Sequence, residues 1–194
     1  MSSTGISNLK NDQALIKGCV ENNRIAQNQL YTLYAAQMMG ICLRYARTRE
    51  DAQDILQEGF IQVFRGIEGY KFKGPLEAWI KKIFINCALQ KLREKENNYS
   101  FITIDSATEI YKTSYSIAEK IDLKILIKCI QSLPLISRLV FNLYVFEGLK
   151  HREIACILKI SEGTSKSNLF DARNNLKKQL QNLDYFSLKT AANE

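Results

Sequence analysis

Asp51 to Phe64 reads DAQDILQEGFIQVF. Its apolar residues Ala52, Ile55, Leu56, Phe60, Val63 and Phe64 recur at helical spacing, with the small Gly59 on the same face. Asp51, Asp54, Gln57 and Glu58 lie largely on the other side. The spacing predicts a helix with one flank built for a core and one that presents negative charge. The chain as a whole carries 27 Lys and Arg against 20 Asp and Glu, a net charge of +7. A negative face on a basic protein is badly suited to nucleic acid and well suited to a protein partner.

The 194 residues suffice for one large domain or two small ones. A hydrophobic content of 46% with 24% charged residues excludes a disordered or membrane-embedded chain. No apolar run reaches bilayer length and no signal-peptide pattern opens the chain, so a cytoplasmic protein without membrane insertion is expected. The positive balance favours nucleic acid or another anionic partner. Cys19, Cys42, Cys87, Cys129 and Cys156 stand far apart, mostly inside apolar patterns, and read as reduced, buried thiols. With one His and no CxxC pair, no metal site and no cofactor are expected. Two prolines and nearly uniform helical periodicity make the class all-α, the one doubtful strand pattern lying near Ser100–Ile104.

Upstream, the polar residues to about Lys10 read as frayed, and Asp12 as the cap of a short helix with Leu15, Ile16 and Cys19. Asn22 and Asn23 make a turn. A longer helix to about Arg47 sets Leu30, Leu33, Tyr34, Met38, Ile41, Cys42 and Tyr45 on one core face, and Thr48 or Asp51 can cap the next. Downstream, a turn-rich piece from Ile67 to Pro75 leads into a helix from about Leu76 to Lys95. Its buried face carries Trp79, Ile80, Ile83, Phe84, Cys87, Ala88 and Leu92; its other positions hold Lys81, Lys82, Asn86, Gln90 and Arg93. Lys71 to Lys95 is thus a basic segment interleaved with Tyr70, Phe72 and Trp79. That combination suits unpaired nucleic acid, because cations neutralise phosphate and ring faces stack on bases. The plain alternative is a solvated basic face with a core Trp.

From Glu96 to about Tyr115 the periodicity fails, which reads as a flexible linker between two small helical domains, 1–95 and 116–194. Ser116 to Glu119 forms a capping-box pattern before a helix with Leu123, Leu126, Ile127 and Ile130. Pro134 suits the first residue of the next helix, which carries Ile136, Leu139, Val140, Leu143 and Tyr144 and stops at Gly148. Leu149 to Leu180 then reads as a helix-turn-helix. Ile154, Ala155 and Leu158 belong to its first helix, Lys159–Ile160 to the turn, and Ser161 caps a second helix whose Leu169, Ala172, Leu176 and Leu180 face inward. Thr164, Ser165, Lys166, Asn168 and Arg173 face outward, where they can reach base edges and phosphates in a major groove. The plain alternative is an ordinary helical hairpin. No strong pattern follows Leu183.

Two segments together resemble one family. The chain is similar to bacterial RNA polymerase sigma factors of the small two-domain extracytoplasmic-function (ECF) type. One match runs from about Ala26 to Arg93, through DAQDILQEGFIQVFRGI, Tyr70-Lys71-Phe72 and WIKKIFINCALQKLRE. The other runs from about Leu133 to Leu180, through EGLKHREIACILKISEGTSKSNL and FDARNNLKKQL. The resemblance implies that Asp51, Asp54, Gln57, Glu58 and Phe60 dock on the clamp helices of polymerase core. It implies that Tyr70, Lys71, Lys73, Trp79, Lys81, Lys82, Asn86 and Arg93 bind the melted minus-ten element. Tyr70 to Pro75 would form the loop that holds a flipped base, with Asn86 supporting its pocket. His151, Arg152, Thr164, Ser165, Lys166, Asn168 and Arg173 would bind the minus-thirty-five element. Its implied partners are polymerase core and promoter DNA, with an anti-sigma factor as a further candidate.

The chain departs from the family at three points. The loop reads Tyr70-Lys71-Phe72 with Gly74 displaced, where the family usually begins Phe-Arg-Gly. Lys150 stands where the first helix of the helix-turn-helix is usually capped, at a cost of about 1 kcal/mol. Lys166 replaces a frequent Arg and loses any bidentate guanine contact. The expected function is promoter recognition and melting without covalent chemistry. Opening costs on the order of 1–2 kcal/mol per base step and is offset only by tighter binding of the single strand. A stand-alone helix-turn-helix regulator would explain the second domain and the charge, but not the acidic face or the basic-aromatic segment. A different class is a helical adaptor or sequestering protein with no DNA role, which loss of binding to all DNA at low salt would favour. An enzyme has least support: His151 lies between Lys150 and Arg152 with no nucleophile partner, and no phosphate-cradling Gly loop occurs. No sensor segment follows, so regulation is expected from another protein or from expression level.

Overall fold

Asn23 shows how the local sequence sets the first boundary. Its Oδ1 accepts the N–H groups of Ile25 at 2.9 Å and Ala26 at 3.3 Å, satisfying two of the donors that open a helix. Asn22 before it takes a left-handed turn, φ 56°. Helix α1 (Ser3–Val20) therefore reverses into α2 (Arg24–Tyr45). A Cβ at Gly18 would sit 2.6 Å from the Ala26 Cβ, so the two helices touch through glycine. The computed structural model describes residues 3–95 and 123–191, with side chains over 12–94 and 123–182. All elements among these residues are helical, and none is long and apolar enough to cross a membrane. The linker, the Ser116–Glu119 capping box and the doubtful strand near Ser100–Ile104 lie outside the described residues.

Thr48, rather than Asp51, caps α3 (Arg49–Gly66): its Oγ1 accepts the Asp51 N–H at 3.1 Å. Thr48→Ala should cost about 1 kcal/mol in thermal or urea denaturation. A short 3₁₀ turn (Ile67–Gly69) and the loop to Pro75 lead into α4 (Leu76–Lys95). Ala52, Ile55, Phe60 and Val63 of α3 and Ile80, Phe84, Ala88 and Leu92 of α4 are buried, as their spacing predicts. Gly59 is where the two helices meet, because Phe84 of α4 fills the space a side chain would take. Three expectations fail here. Asp12 lies inside α1, which starts at Ser3, and so caps nothing. Leu33 is 66% exposed, beyond the edge of the stripe that buries Leu30 and Met38. Cys156 is exposed, whereas Cys19, Cys42 and Cys129 are buried and Cys87 is half-buried.

In the second unit, α5 (Leu123–Gln131) and α6 (Leu135–Phe141) flank Pro134, which is the cap residue rather than the first helical one. The chain continues as one π-helical stretch, Asn142–Phe146, and stops at Gly148 with φ 71°. The helix-turn-helix follows as α7 (His151–Leu158) and α8 (Glu162–Ala191). Lys159 makes the turn in the left-handed region, φ 52°. The Ser161 Oγ accepts the Thr164 N–H at 2.9 Å, as expected of its cap. Lys150 supplies no side-chain cap, since an ammonium has no acceptor; Glu153 reaches back to its backbone N–H at 2.7 Å instead.

The two units pack on each other through the C-terminal end of α2. The last carbonyls of a helix lack intrahelical partners. Gln131 Nε2 donates to the Leu43 carbonyl and Asn142 Nδ2 to that of Arg44, each at 2.9 Å. The second unit therefore caps a helix of the first. Beside these bonds the Glu147 side chain, 0% exposed, meets Arg44 at 3.3 Å and Lys81 at 2.6 Å, the latter without hydrogen-bond alignment. Arg44 also lies 4.0 Å over the Phe146 ring, and Lys81 donates to the Phe146 carbonyl at 3.2 Å. Tyr45, fully buried alongside, has its phenol pushed well above the usual range, by burial first and then by the charge of Glu147.

Candidate nucleic-acid interface and acidic groove

Helices α3 and α4 run antiparallel, and their common outer flank changes character along its length. At one end lies an open groove of about 830 Å³, lined by Asp54, Gln57 and Glu58 from α3 and by Asn86, Lys91 and Glu94 from α4, among others. Three carboxylates against one ammonium leave it net negative. Lys91 pairs with Asp54 at 3.1 Å, while Glu58 holds Gln62 at 2.6 Å. Asp54, Gln57 and Glu58 are exposed. Phe60 is not: it is 4% exposed, packed 4.6 Å from the Tyr31 ring and 5.2 Å from that of Phe84. Its place is to seat α3, not to touch a partner. Burial, and next the nearby Glu58, raise the Cys87 thiol to about 11, so it stays protonated at neutral pH.

At the other end, Tyr70, Phe72 and Trp79 form one aromatic cluster. Tyr70 lies 4.8 Å from Phe72 and 5.5 Å from Trp79 between ring centroids. The Tyr70 hydroxyl donates to the Gly74 carbonyl and ties the loop closed. Phe72 is 43% exposed and holds a left-handed backbone, φ 54°, uncommon for a bulky residue and typical of sites where geometry serves function. Lys71 and Lys73 flank it, exposed. Trp79 rests on Gly66, its indole 3.6 Å from where a Cβ would be, an ordinary packing distance. Rings with partly open faces beside two lysines can stack bases and neutralise phosphates.

The structure divides the remaining α4 residues. Lys82 and Asn86 follow Trp79 by three and seven positions and share its flank. Asn86 also lines the acidic groove. Lys81 turns the other way, with its side chain 16% exposed and paired to Glu147 of the second unit. Arg93 is half-buried near the end of α4.

On α8, Thr164, Lys166 and Arg173 are exposed, as expected. Lys166 pairs with Glu162 one turn back at 2.8 Å. Ser165 contradicts its assignment: it is fully buried, with Oγ 2.9 Å from Nδ1 of His151. The His151 ring stacks on Tyr144 at 4.7 Å, and the Arg173 guanidinium lies 5.6 Å from the same Tyr144 ring. Burial, then Lys166, hold the His151 imidazole below its ordinary pKa. His151 and Ser165 thus set the position of α8 on α7. Asn168 is half-buried, accepting from Ser137 and donating to the Thr164 carbonyl at 2.9 Å each, so it too is mainly a positioning residue. Arg152 is exposed. Sequence reasoning missed Phe170, 66% exposed one turn after Lys166; a lone ring on the polar flank of such a helix was the available signal. Phenyl groups of this kind pack on thymine methyls in a major groove.

A family model described as Sigma-70 region 2 matches residues 30–97, and one described as Sigma-70, region 4 matches residues 123–176. The chain is 28% identical over 184 residues to an RNA polymerase sigma-H factor of Pseudomonas aeruginosa, covering 89% of this chain and 95% of that protein. It is 27% identical to an ECF RNA polymerase sigma-E factor of Haemophilus influenzae, covering 89% and 96%. Among solved structures, the sigma factor RpoE of Bartonella quintana, in complex with the anti-sigma factor NepR, aligns with a TM-score of 0.51 at 21% identity. That alignment covers 79% of this chain and 96% of the other and shows a shared fold.

Proposed function

The chain belongs to the sigma-70 family of RNA polymerase sigma factors, of extracytoplasmic-function type, and from that premise we propose how its residues divide the work at a promoter. The acidic groove of Asp54, Gln57 and Glu58 receives the polymerase. The cluster of Tyr70, Phe72 and Trp79, with Lys71 and Lys73, takes the melted minus-ten strand. Thr164, Lys166, Phe170 and Arg173 read the minus-thirty-five duplex, with Arg152 on the flanking phosphates. Binding energy at these faces is exchanged for DNA opening, and no covalent step is needed. Two modest DNA contacts on one polymerase assembly reinforce each other through effective concentration. The work is done in the cytoplasm, where polymerase and promoter meet. A neighbouring structure pairs a sigma factor with an anti-sigma factor, and a protein partner of that kind is the proposed means of control.

The observation that carries this reading is the single α3–α4 flank, acidic at one end and aromatic with flanking lysines at the other. Trp79→Ala tests it. Stacking on an aromatic side chain contributes about 1–3 kcal/mol per base, so permanganate-detected promoter opening should fall by roughly tenfold or more. Capture of polymerase core should be unchanged, because Trp79 lies away from the groove. Full opening by the variant would remove the aromatic cluster from the mechanism.

A further inference from the structure

Arg44 and Lys81 belong to different helices of the first unit, yet both cations converge on one carboxylate of the second. Arg44 approaches Oε1 of Glu147 at 3.3 Å and Lys81 approaches Oε2 at 2.6 Å. The Phe146 ring covers the guanidinium at 4.0 Å. Two cations sharing one anion's oxygens is also how a nucleic-acid phosphate is held. We propose that Arg44 and Lys81 form a phosphate-binding site for the promoter strand, and that Glu147 occupies it in the free chain as an anionic substitute. The proposal rests on the reading of α4 as the minus-ten helix, and extends it to Arg44.

The choice of residues supports a contact made to be exchanged. A buried ion pair seldom holds surfaces together better than apolar residues of the same size would. Here the buried carboxylate takes both cations of the site, and it lies beside side-chain bonds to the Leu43 and Arg44 carbonyls, which water can replace once the units part. These polar contacts border an apolar core that runs from the first unit into the second, so opening the interface also parts apolar packing. In the closed chain the Lys81 side chain is 16% exposed and Arg44 18%, so neither can meet a strand. Lys71 and Lys73 remain open on the same unit. The closed form thus keeps part of the DNA face while withholding its two-cation site.

The test uses the full chain, without polymerase, and a labelled single-stranded minus-ten oligonucleotide read by fluorescence anisotropy. Glu147→Gln keeps the shape and removes the charge. The closed form binds through the open lysines alone, so two added phosphate contacts should tighten binding by roughly tenfold or more. The salt dependence should steepen by roughly 1.4 in log–log slope, about 0.7 for each cation freed. Adding Arg44→Met should take back about half of that steepening. Unchanged affinity and slope in a folded Glu147→Gln chain would overturn the proposal.

Amine acetylation of the native chain tests it independently, even if the variant fails to fold. Lys81 should react far more slowly than Lys71 in the free chain, become reactive in the polymerase complex, and be protected again by promoter DNA. Fast reaction in the free chain, or none in the complex, would also overturn it. If promoter DNA protects Lys71 and Lys73 but not Lys81, this site fails and the minus-ten reading stands. If it protects none of the three, the minus-ten reading fails, and this site with it.

Discussion

Reversing the charge at two exposed positions, Asp54→Lys with Glu58→Lys, should reduce capture of polymerase core by at least about a hundredfold. Each substitution removes an attraction and installs a repulsion, and like charges set against each other across an interface cost several kcal/mol. A combined loss of about 3 kcal/mol already corresponds to more than a hundredfold. The fold should survive. Both side chains point to solvent, and substitutions at such places usually stay within about 0.5 kcal/mol. The Asp54–Lys91 pair is exposed on both sides, 59% and 34%, and its loss adds only about 0.2–1 kcal/mol. Capture of the native chain should also weaken with salt, because exposed charges are screened. A folded variant captured as well as the native chain would move the docking face elsewhere.

The largest expected stability effect lies where α3 and α4 cross. Phe84 is fully buried, and its ring atom Cδ1 lies 2.6 Å from where a Gly59 Cβ would be. Phe84→Ala should cost about 3–5 kcal/mol, from lost transfer energy and the cavity left behind. Gly59→Ala should cost about 1–3 kcal/mol through overpacking, since a fully buried ring packed edge-on against Phe60 cannot easily retreat. In the double variant the new methyl enters the space the ring has left, so the losses should sum to less than the two separately. For a chain of this size the Phe84 variant should melt roughly 6–20 °C lower. Strict additivity, or a Gly59→Ala chain as stable as the native one, would mean that the helices adjust freely at this crossing.

Periodicity within one helix made much of this molecule legible. The stripe of α3, the bounds of α4, the Ser161 cap and the inward Leu169, Ala172 and Leu176 all follow from which residues share a flank. Periodicity names a flank but not what packs across it. Lys81 read as exposed because it lies off the apolar stripe of α4, yet its side chain is 16% exposed against Glu147, which is far along the chain and follows a π-helical stretch that local spacing does not announce. Ser165 read as outward because it is small and polar at the start of a recognition helix; His151, from the preceding helix, draws it inward. Leu33 read as core because it is apolar at nearly the right position, yet it lines an open groove where α1 borders α2, beside Ala14 and Leu15. Asp12 read as a cap because Asp is a good one, while the helix passes through it from Ser3. Apart from Leu33, these misses turn on a partner distant in sequence or on a helix longer than its clearest pattern.

The bonds from Gln131 and Asn142 to the end of α2 have a consequence for synthesis on the ribosome. The first unit is translated before the residues that complete it. Between the emergence of Arg44 and that of Asn142 almost a hundred residues must be added, which takes about 5–20 s at ordinary elongation rates. During that interval the last turn of α2 has only water for the Leu43 and Arg44 carbonyls, and the Arg44 and Lys81 cations lack their carboxylate. A nascent chain halted in this window would be a sigma factor with its two-cation site open to any nucleic acid nearby.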